Sequence, residues 1–577
     1  GLDFFGLEIH SRKTSAVKRT GVTYIASVVG EVPTRITSSN TCNFLTMDYL
    51  THTRLSFFLL LIAISLGKLQ AATPHASDKP SQASPAGGPI TFRSPLAKAF
   101  VVPQSLPGVG FPIQQSYAGR LNIATDPKQT AEAFFWMIPA DNARGSKHVT
   151  MWINGYDVCS SLYGAFRGSG PITMSLEGGK PVKNPYSWTR SSNVIYLDVL
   201  PKVGFTRGTY SVNSSRDVGV LVFSFLKSFL KVQAFFISLQ VLLCPSRFEV
   251  LTIFFFLDTQ VFPEMNGLNL FLAGNYYTGT YANYAAQKIY AQQSQLGLKL
   301  QGMILVDALI AASDFQMYAA TTKFVTENND VFKFDAAKLQ KLLATDKQCG
   351  FSEYLKKFLT YPPSGHFPEI TKALDPSNPP WFTPDCMNLY SQMYMGAPRD
   401  LNLWNIHDKP GSADTNYTRF NYPGRPDVQK AFNLADVQPW SFCNQVQNVF
   451  PNDDGSGLAT DILPDVIQRS KKVVIMHAEL DATLPVEGMR LALQNVTWAG
   501  KQGFQKPLTT NLIVAGKQSG KYIHAHEVSL CHISMRQQSE RGLTFVQVAK
   551  SGAMIAHDQG EVALTVLDYL LGNRPAL

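Results

Sequence analysis

The chain has 577 residues, 45% of them hydrophobic and 16% charged, a profile that excludes a disordered protein. Its length accommodates one very large domain or several smaller ones. The net charge of +9 comes from Lys and Arg scattered along the chain, which reads as a solubility term and leaves no footprint for a nucleic-acid partner.

Residues 1–46 carry no clear periodicity and are read as translated upstream sequence. Met47 opens "MDYLTHTRLSFFLLLIAISLGKLQAATPHA", with Arg54 in a short polar stretch, apolar residues from Leu55 to Leu66, and small residues at Ala71 and Ala72. That pattern predicts a secretory signal peptide over 47–72. Its apolar run is short of the ~20 residues that span a bilayer, so no stable membrane span is expected. A loose Pro/Ser/Ala/Gly segment covers 73–89, and one domain is expected over 90–577.

Short apolar stretches bounded by turn residues predict strands at 148–154, 193–200, 268–274, 300–306, 471–478 and 543–549. Helical stretches lie between several of them, which points to a largely parallel sheet with crossover helices. Between the strand at 268–274 and a helix expected over Ala282–Leu296 stands "FLAGNYYTGTYA". A turn of this kind can hold a nucleophile up from the sheet edge, yet its exposed position is Tyr276. The section from about 311 to 464 has helical patterning and many Pro and Asn residues, as expected of a lid over the C-terminal edge of the sheet.

Two segments interrupt this order. "KVQAFFISLQVLLCPSRFEVLTIFFF" at 231–256 is apolar almost throughout and is broken by Cys244-Pro245; "IHAHEVSLCHISMRQQ" at 523–538 splits a passage that otherwise reads "GKYSERGLTFVQV". Both are read as intron-derived inserts, a hypothesis that fails if mature transcripts carry them. Setting these and 1–46 aside removes Cys42, Cys244 and Cys531, and the remaining four cysteines suit two disulfides in a secreted protein. Sequons at Asn213, Asn416 and Asn495 agree with secretion and predict glycosylation.

Four stretches carry a family resemblance. "MWINGYDVCSSLYGAFRGSGP" is similar to W-L-N-G-G-P-G-C-S-S-L-x-G-x-x-x-E-x-G-P, and "NPYSWTRSSNVIYLDVLPKVGFTRG" resembles N-P-Y-S-W-x-x-x-x-N-x-x-Y-x-D-Q-P-V-G-x-G-F-S. "LFLAGNYYTGTYA" matches a stretch containing G-E-S-Y-A-G, and "SGAMIAHDQGEVAL" matches S-G-H-M-x-P-x-D-Q-P-E-x-A-L. These are motifs of the secreted serine carboxypeptidases, in the family's order across roughly 116–571. The resemblance implies an α/β-hydrolase fold: a mostly parallel central sheet, helices on both faces and a helical lid. It implies no cofactor and no metal. Cys159 would pair with Cys443, leaving Cys349 with Cys386.

The same resemblance assigns the triad positions to Tyr276 for Ser, Asp481 for the acid and Ala553 for His. A phenol titrates near ~10 and its ring carries the oxygen well beyond the place of a Ser Oγ. His557 lies four residues from Ala553, too far to replace a base needing ~3 Å reach. The Ser in "QSYAG", at 115–119, lies before the first motif strand and is a decoy. The oxyanion-hole amides would belong to Tyr156 and Tyr277. The family's two carboxylate-binding acids fall at Asn275 and Gly168, while Asn154 and Gly155 are kept. Scaffold features such as "NPYSW" and Trp498 are intact. The expectation is a folded homologue with a dismantled hydrolytic site that binds a peptide or small molecule in the old cleft. Hydrolytic activity releasing C-terminal residues from peptides, the related acyltransferase chemistry and a nonfunctional product of a decaying gene stay open as alternatives.

Overall fold

A computed structural model describes residues 90–577 apart from 156–158, 175–179, 231, 243–249, 260, 313, 369, 371–382, 410–420, 444–460, 513 and 515–535. The expected upstream segment, signal peptide and 73–89 linker therefore lie outside the described residues, as do Tyr156, Asn416 and most of the 523–538 segment.

The strands of the central sheet, in chain order, are β1 (Val101–Val102), β2 (Ser116–Asn122), β3 (Ala131–Ile138), β4 (His148–Ile153), β5 (Asn193–Asp198), β6 (Asn269–Tyr276), β7 (Lys299–Ala308), β8 (Lys472–Ala478), β9 (Thr510–Asn511), β10 (Arg536–Glu540) and β11 (Leu543–Val548). They pair in the order β1-β2-β3-β5-β4-β6-β7-β8-β11-β10-β9, with Arg207–Gly208 added to β3. From β5 through β11 every neighbouring pair is parallel, and both outer portions are antiparallel. The fold is therefore an α/β one with a mostly parallel mixed sheet and helices around it, and β6 stands in the middle of its parallel run.

The period of two along a strand separates two cores. In β3, Ala133, Phe135 and Met137 enter one apolar cluster, whereas Phe134, Trp136 and Ile138 enter another. The first cluster takes in α1 (Ser215–Leu230) and α2 (Thr278–Ala291), and the second takes in α3 (Gly560–Leu571). Because both faces are covered, the central strands read as unbroken apolar runs, which is why the sequence exposes them so clearly. A third cluster gathers the helices Ala319–Glu327, Ala336–Cys349, Phe351–Phe358 and Leu389–Gly396, all inside the section read as a lid.

Several expectations shift. The helix after the central turn begins at Thr278, four residues before the expected Ala282, and ends at Ala291 rather than Leu296. Its start is fixed by packing: a Cβ on Gly279 would stand 2.2 Å from the Leu309 carbonyl oxygen. Within 231–256 the chain forms Val232–Leu242, which pairs antiparallel with Val250–Thr259 in a two-stranded sheet separate from the central one. Residues 536–538 of the second segment belong to β10. Ser116 of "QSYAG" lies in β2, fully buried, and its Oγ accepts the Trp136 indole N–H at 3.0 Å.

Candidate active site

Strand β6 ends at Tyr276 with φ of 47°, a left-handed conformation that bulky residues adopt only when the surroundings enforce it. Here the enforcement is visible on both sides. Leu309 N–H donates to the Tyr276 carbonyl at 2.9 Å, and Tyr277 N–H donates to the Gly155 carbonyl at 3.2 Å. Thr278 Oγ1 donates to the Ile153 carbonyl at 2.6 Å, tying the first turn of α2 to the end of β4. Glycine is required where these backbones meet, since a Cβ on Gly155 would stand 2.1 Å from the Asn275 carbonyl oxygen.

Tyr276 is buried, and its hydroxyl donates to Asp481 Oδ2 at 2.6 Å. Asp481 lies in the turn after β8, where its Oδ1 accepts the N–H groups of Thr483 at 2.8 Å and Leu484 at 3.3 Å. Burial outweighs these three donors and lifts the Asp481 carboxyl to about 7. Burial, then the neighbouring Asp481 charge, raises the Tyr276 phenol well above its ordinary range. The phenol therefore stays protonated as a donor and does not supply a phenolate nucleophile.

Ala553 completes the group. It joins Tyr276, Leu484 and the Cys159–Cys443 disulfide in a small apolar cluster against which Leu309, Met317, Trp404 and Phe442 pack. Ala553 N–H donates to the Trp404 carbonyl at 2.8 Å, so the 402–405 segment lies directly on the turn that carries it. The structure thus brings Tyr276, Asp481 and Ala553 together, with the phenol reaching the carboxylate directly.

The other singled-out residues surround this group. Asn275 Oδ1 accepts Gly155 N–H at 3.0 Å, and Asn154 Nδ2 reaches the Cys159 carbonyl at 3.4 Å. Since Tyr277 N–H is already bonded to Gly155, it is not open toward an oxyanion in this conformation. Gly168 has φ of 147° and backs onto Ala556 and His557. His557 lies in the one-turn helix Ile555–Asp558, where its Nδ1 is 2.9 Å from Asp558 Oδ1. Both expected disulfides, Cys159–Cys443 and Cys349–Cys386, are present. Asn213 is exposed, Asn495 is half-buried, and Trp498 is buried under the Arg541 guanidinium.

The family model described as serine carboxypeptidase matches residues 107–244 and 246–573. The chain belongs to the serine carboxypeptidase family. A probable serine carboxypeptidase of Arthroderma benhamiae is 28% identical over 493 residues, covering 81% of this chain and 85% of the relative. Serine-type carboxypeptidase F of Aspergillus niger is 26% identical, over 82% of this chain and 87% of its own. Among solved structures, Kex1(delta)p, a prohormone-processing carboxypeptidase of Saccharomyces cerevisiae, superposes with a TM-score of 0.61 at 18% identity, over 83% of this chain and 97% of that one. That likeness establishes the α/β-hydrolase fold.

The sequence reading of this serine carboxypeptidase homologue missed a buried pair behind the site. Asp307, at the end of β7 with φ of 42°, accepts Ala478 N–H at 2.8 Å through Oδ1, which also stands 3.5 Å from His477 Nε2. Burial first, then the nearby Asp481, raises the Asp307 carboxyl well above its usual range. Burial lowers His477 to about 4, so its ring is neutral and Nε2 donates to the Leu484 carbonyl at 2.6 Å. A charged residue interrupting the apolar "MILVDALI" was the available signal.

Proposed function

We propose that this chain is a secreted serine carboxypeptidase homologue with an impaired hydrolytic site, and that it acts by binding a peptide or similar small ligand in the former substrate cleft. The observation that carries the reading is the hydrogen bond from Tyr276 Oη to Asp481 Oδ2 beside Ala553. Acyl transfer by a triad needs a serine hydroxyl, an imidazole that takes its proton, and a carboxylate that orients the imidazole. At the positions assigned by the family motifs, the first is a phenol, the second a methyl group, and the third is engaged by the phenol itself. Loss of Ser or His from such a unit costs about 10⁶ in turnover. The engaged amide of Tyr277 and the replacement of the carboxylate-binding acids at Asn275 and Gly168 support the same reading.

Passage through the secretory pathway is favoured by the two disulfides and by the exposed sequon at Asn213. Residues 90–577, with the lid helices, form the serine carboxypeptidase-like domain under this reading.

The test is reaction of the purified, secreted protein with a fluorophosphonate probe, alongside thermal-shift binding of N-blocked dipeptides. The expected result is no labelling and no released amino acid, with peptides raising the melting temperature. Stoichiometric labelling would overturn the impaired site and identify the true nucleophile, and an absence of any peptide-induced shift would overturn the binding role.

A further inference from the structure

We propose that the outer face of the helix pair Ala336–Cys349 and Leu389–Gly396, in the section read as a lid, is a docking surface for a membrane leaflet rich in anionic phospholipid. The two helices lie side by side and antiparallel. Gln392 Nε2 donates to Thr345 Oγ1 at 3.1 Å, and Lys338 Nζ donates to the Gly396 carbonyl at 3.4 Å. The Cys349–Cys386 disulfide ties the end of the first helix to the single helical turn Pro384–Met387 that leads into the second. The face therefore belongs to a braced pair of helices.

The inner side of this pair is already packed: Leu342, Cys349, Cys386, Leu389 and Met393 enter the third apolar cluster. The outer side carries a further set of large apolar side chains, with Leu343 44% exposed, Met387 36%, Tyr394 60% and Met395 79%. Single exposed apolar residues are ordinary on a protein surface. Here four of the seven large hydrophobic residues left exposed among the described residues stand on one helix pair and its lead-in, which marks an interaction surface. Their chemistry suits a lipid boundary. Tyr394 combines an apolar ring with a hydroxyl that stays hydrated, and unbranched methionine side chains adapt to an irregular partner.

The charges on these helices select the kind of surface. Lys338, Lys341 and Lys347 are exposed along Ala336–Cys349, whose one acid, Asp346, is buried, and Leu389–Gly396 has no charged residue. The flanking exposed acids stand at the helix ends: Asp335, whose Oδ1 caps the first helix by accepting Lys338 N–H at 2.8 Å, Asp385, and Asp400 beside Arg399. Lysine stems lie along apolar surface while their ammonium groups reach the headgroups, so apolar contact and attraction to anionic lipid act on one face. A second copy of this chain fits less well, because a two-fold contact sets the same three lysines against one another. Among the described residues no helix is long and apolar enough to cross a membrane, and the contact is that of a surface lying on the leaflet.

The inference does not depend on the ligand-binding role proposed above. Its test is co-sedimentation of the full chain with vesicles of phosphatidylcholine and phosphatidylserine in equal parts, beside vesicles of phosphatidylcholine alone. Binding is expected to the mixed vesicles, to fall as sodium chloride is added, and to be much weaker to phosphatidylcholine. Tyr394→Ser combined with Met395→Ser is expected to weaken binding about tenfold or more. Lys341→Gln combined with Lys347→Gln is expected to weaken it on the order of twentyfold, about fivefold for each lysine. All four positions are exposed, so both variants should melt with the parent. Tyr394→Trp should add tryptophan emission that shifts to the blue when mixed vesicles are supplied. No binding at low salt, equal binding to the two kinds of vesicle, binding unchanged in both double variants, or an unshifted Tyr394→Trp emission would each overturn the surface. So would a concentration-dependent dimer that the Tyr394→Ser, Met395→Ser variant abolishes, which would assign the face to a second copy of the chain.

Discussion

Tyr276 and Asp481, 205 residues apart in sequence, share a 2.6 Å hydrogen bond in which the phenol donates to a carboxylate that is itself buried. The bond gives a buried charge one of its three protein donors. Removing one donor from a buried carboxylate costs more than an average hydrogen bond, on the order of 1–3 kcal/mol. Tyr276→Phe, which keeps the ring and deletes the hydroxyl, is therefore expected to lose about that much stability in urea unfolding. The loss should be larger at pH 8 than at pH 5, where Asp481 is protonated. An unchanged midpoint at both pH values would show that the bond contributes nothing.

Stability should also depend on pH through the two buried carboxyls. Asp481 titrates at about 7 in the fold against an ordinary value near ~3.9, so the folded state holds the proton that the unfolded state has released. With more protons bound in the native state, unfolding free energy falls as pH rises across this window and levels off above it. The protein is expected to be most stable near pH 4 and to lose stability toward pH 7. Asp307→Asn removes the neighbouring carboxyl that burial and Asp481 hold protonated while keeping an acceptor for Ala478 N–H. That variant should flatten the decline and be at least as stable as the parent at pH 7. A steeper decline in the variant would contradict the coupling.

Placing a serine and a histidine at the two positions assigned by the family motifs tests the proposed site. Tyr276→Ser combined with Ala553→His places an alcohol at the strained turn and an imidazole on the turn opposite, within the frame that already holds Asp481. The double variant is expected to gain fluorophosphonate labelling that neither single variant has, because nucleophile and base act as a unit. Turnover should remain far below that of a working enzyme, since Tyr277 N–H is committed to Gly155. Labelling of Tyr276→Ser alone, at the rate of the double variant, would mean that another base serves the position.

The legible parts of this molecule were those that depend on local pattern. The strand cores of β4, β6, β7, β8 and β11 were readable because burial on both faces leaves uninterrupted apolar runs. The start of α2 was not, because Thr278-Gly279-Thr280 has the composition of a turn, and only the close approach of Leu309 explains a glycine inside the helix. The motifs singled out Tyr276, Asp481 and Ala553, which the fold brings together, but the hydrogen bond between Tyr276 and Asp481 was invisible. It depends on the length of a phenol filling the space beside an alanine from a third part of the chain. Asp307 and His477 were missed for a similar reason: their meeting depends on two adjacent parallel strands ending in register.

The turn bearing Ala553 is held by backbone contact as much as by side chains. Gly552 lies against the 402–405 segment so closely that a Cβ would stand 2.3 Å from both the Trp404 carbonyl oxygen and the Asn405 Cβ. Since one contact is to backbone, it has no flexible side-chain end to absorb the added carbon. Gly552→Ala must then push the segment off the turn and break the Ala553 N–H bond to Trp404. The expected cost is about 1–3 kcal/mol, as for other overpacked interiors, with a matching fall in the urea midpoint. The displacement should also raise the exposure of Trp404, readable as a red shift of tryptophan emission relative to a Gly552→Ala, Trp404→Phe control. A variant with parental stability and unshifted emission would mean that the 402–405 segment moves aside without cost and does not clamp the turn.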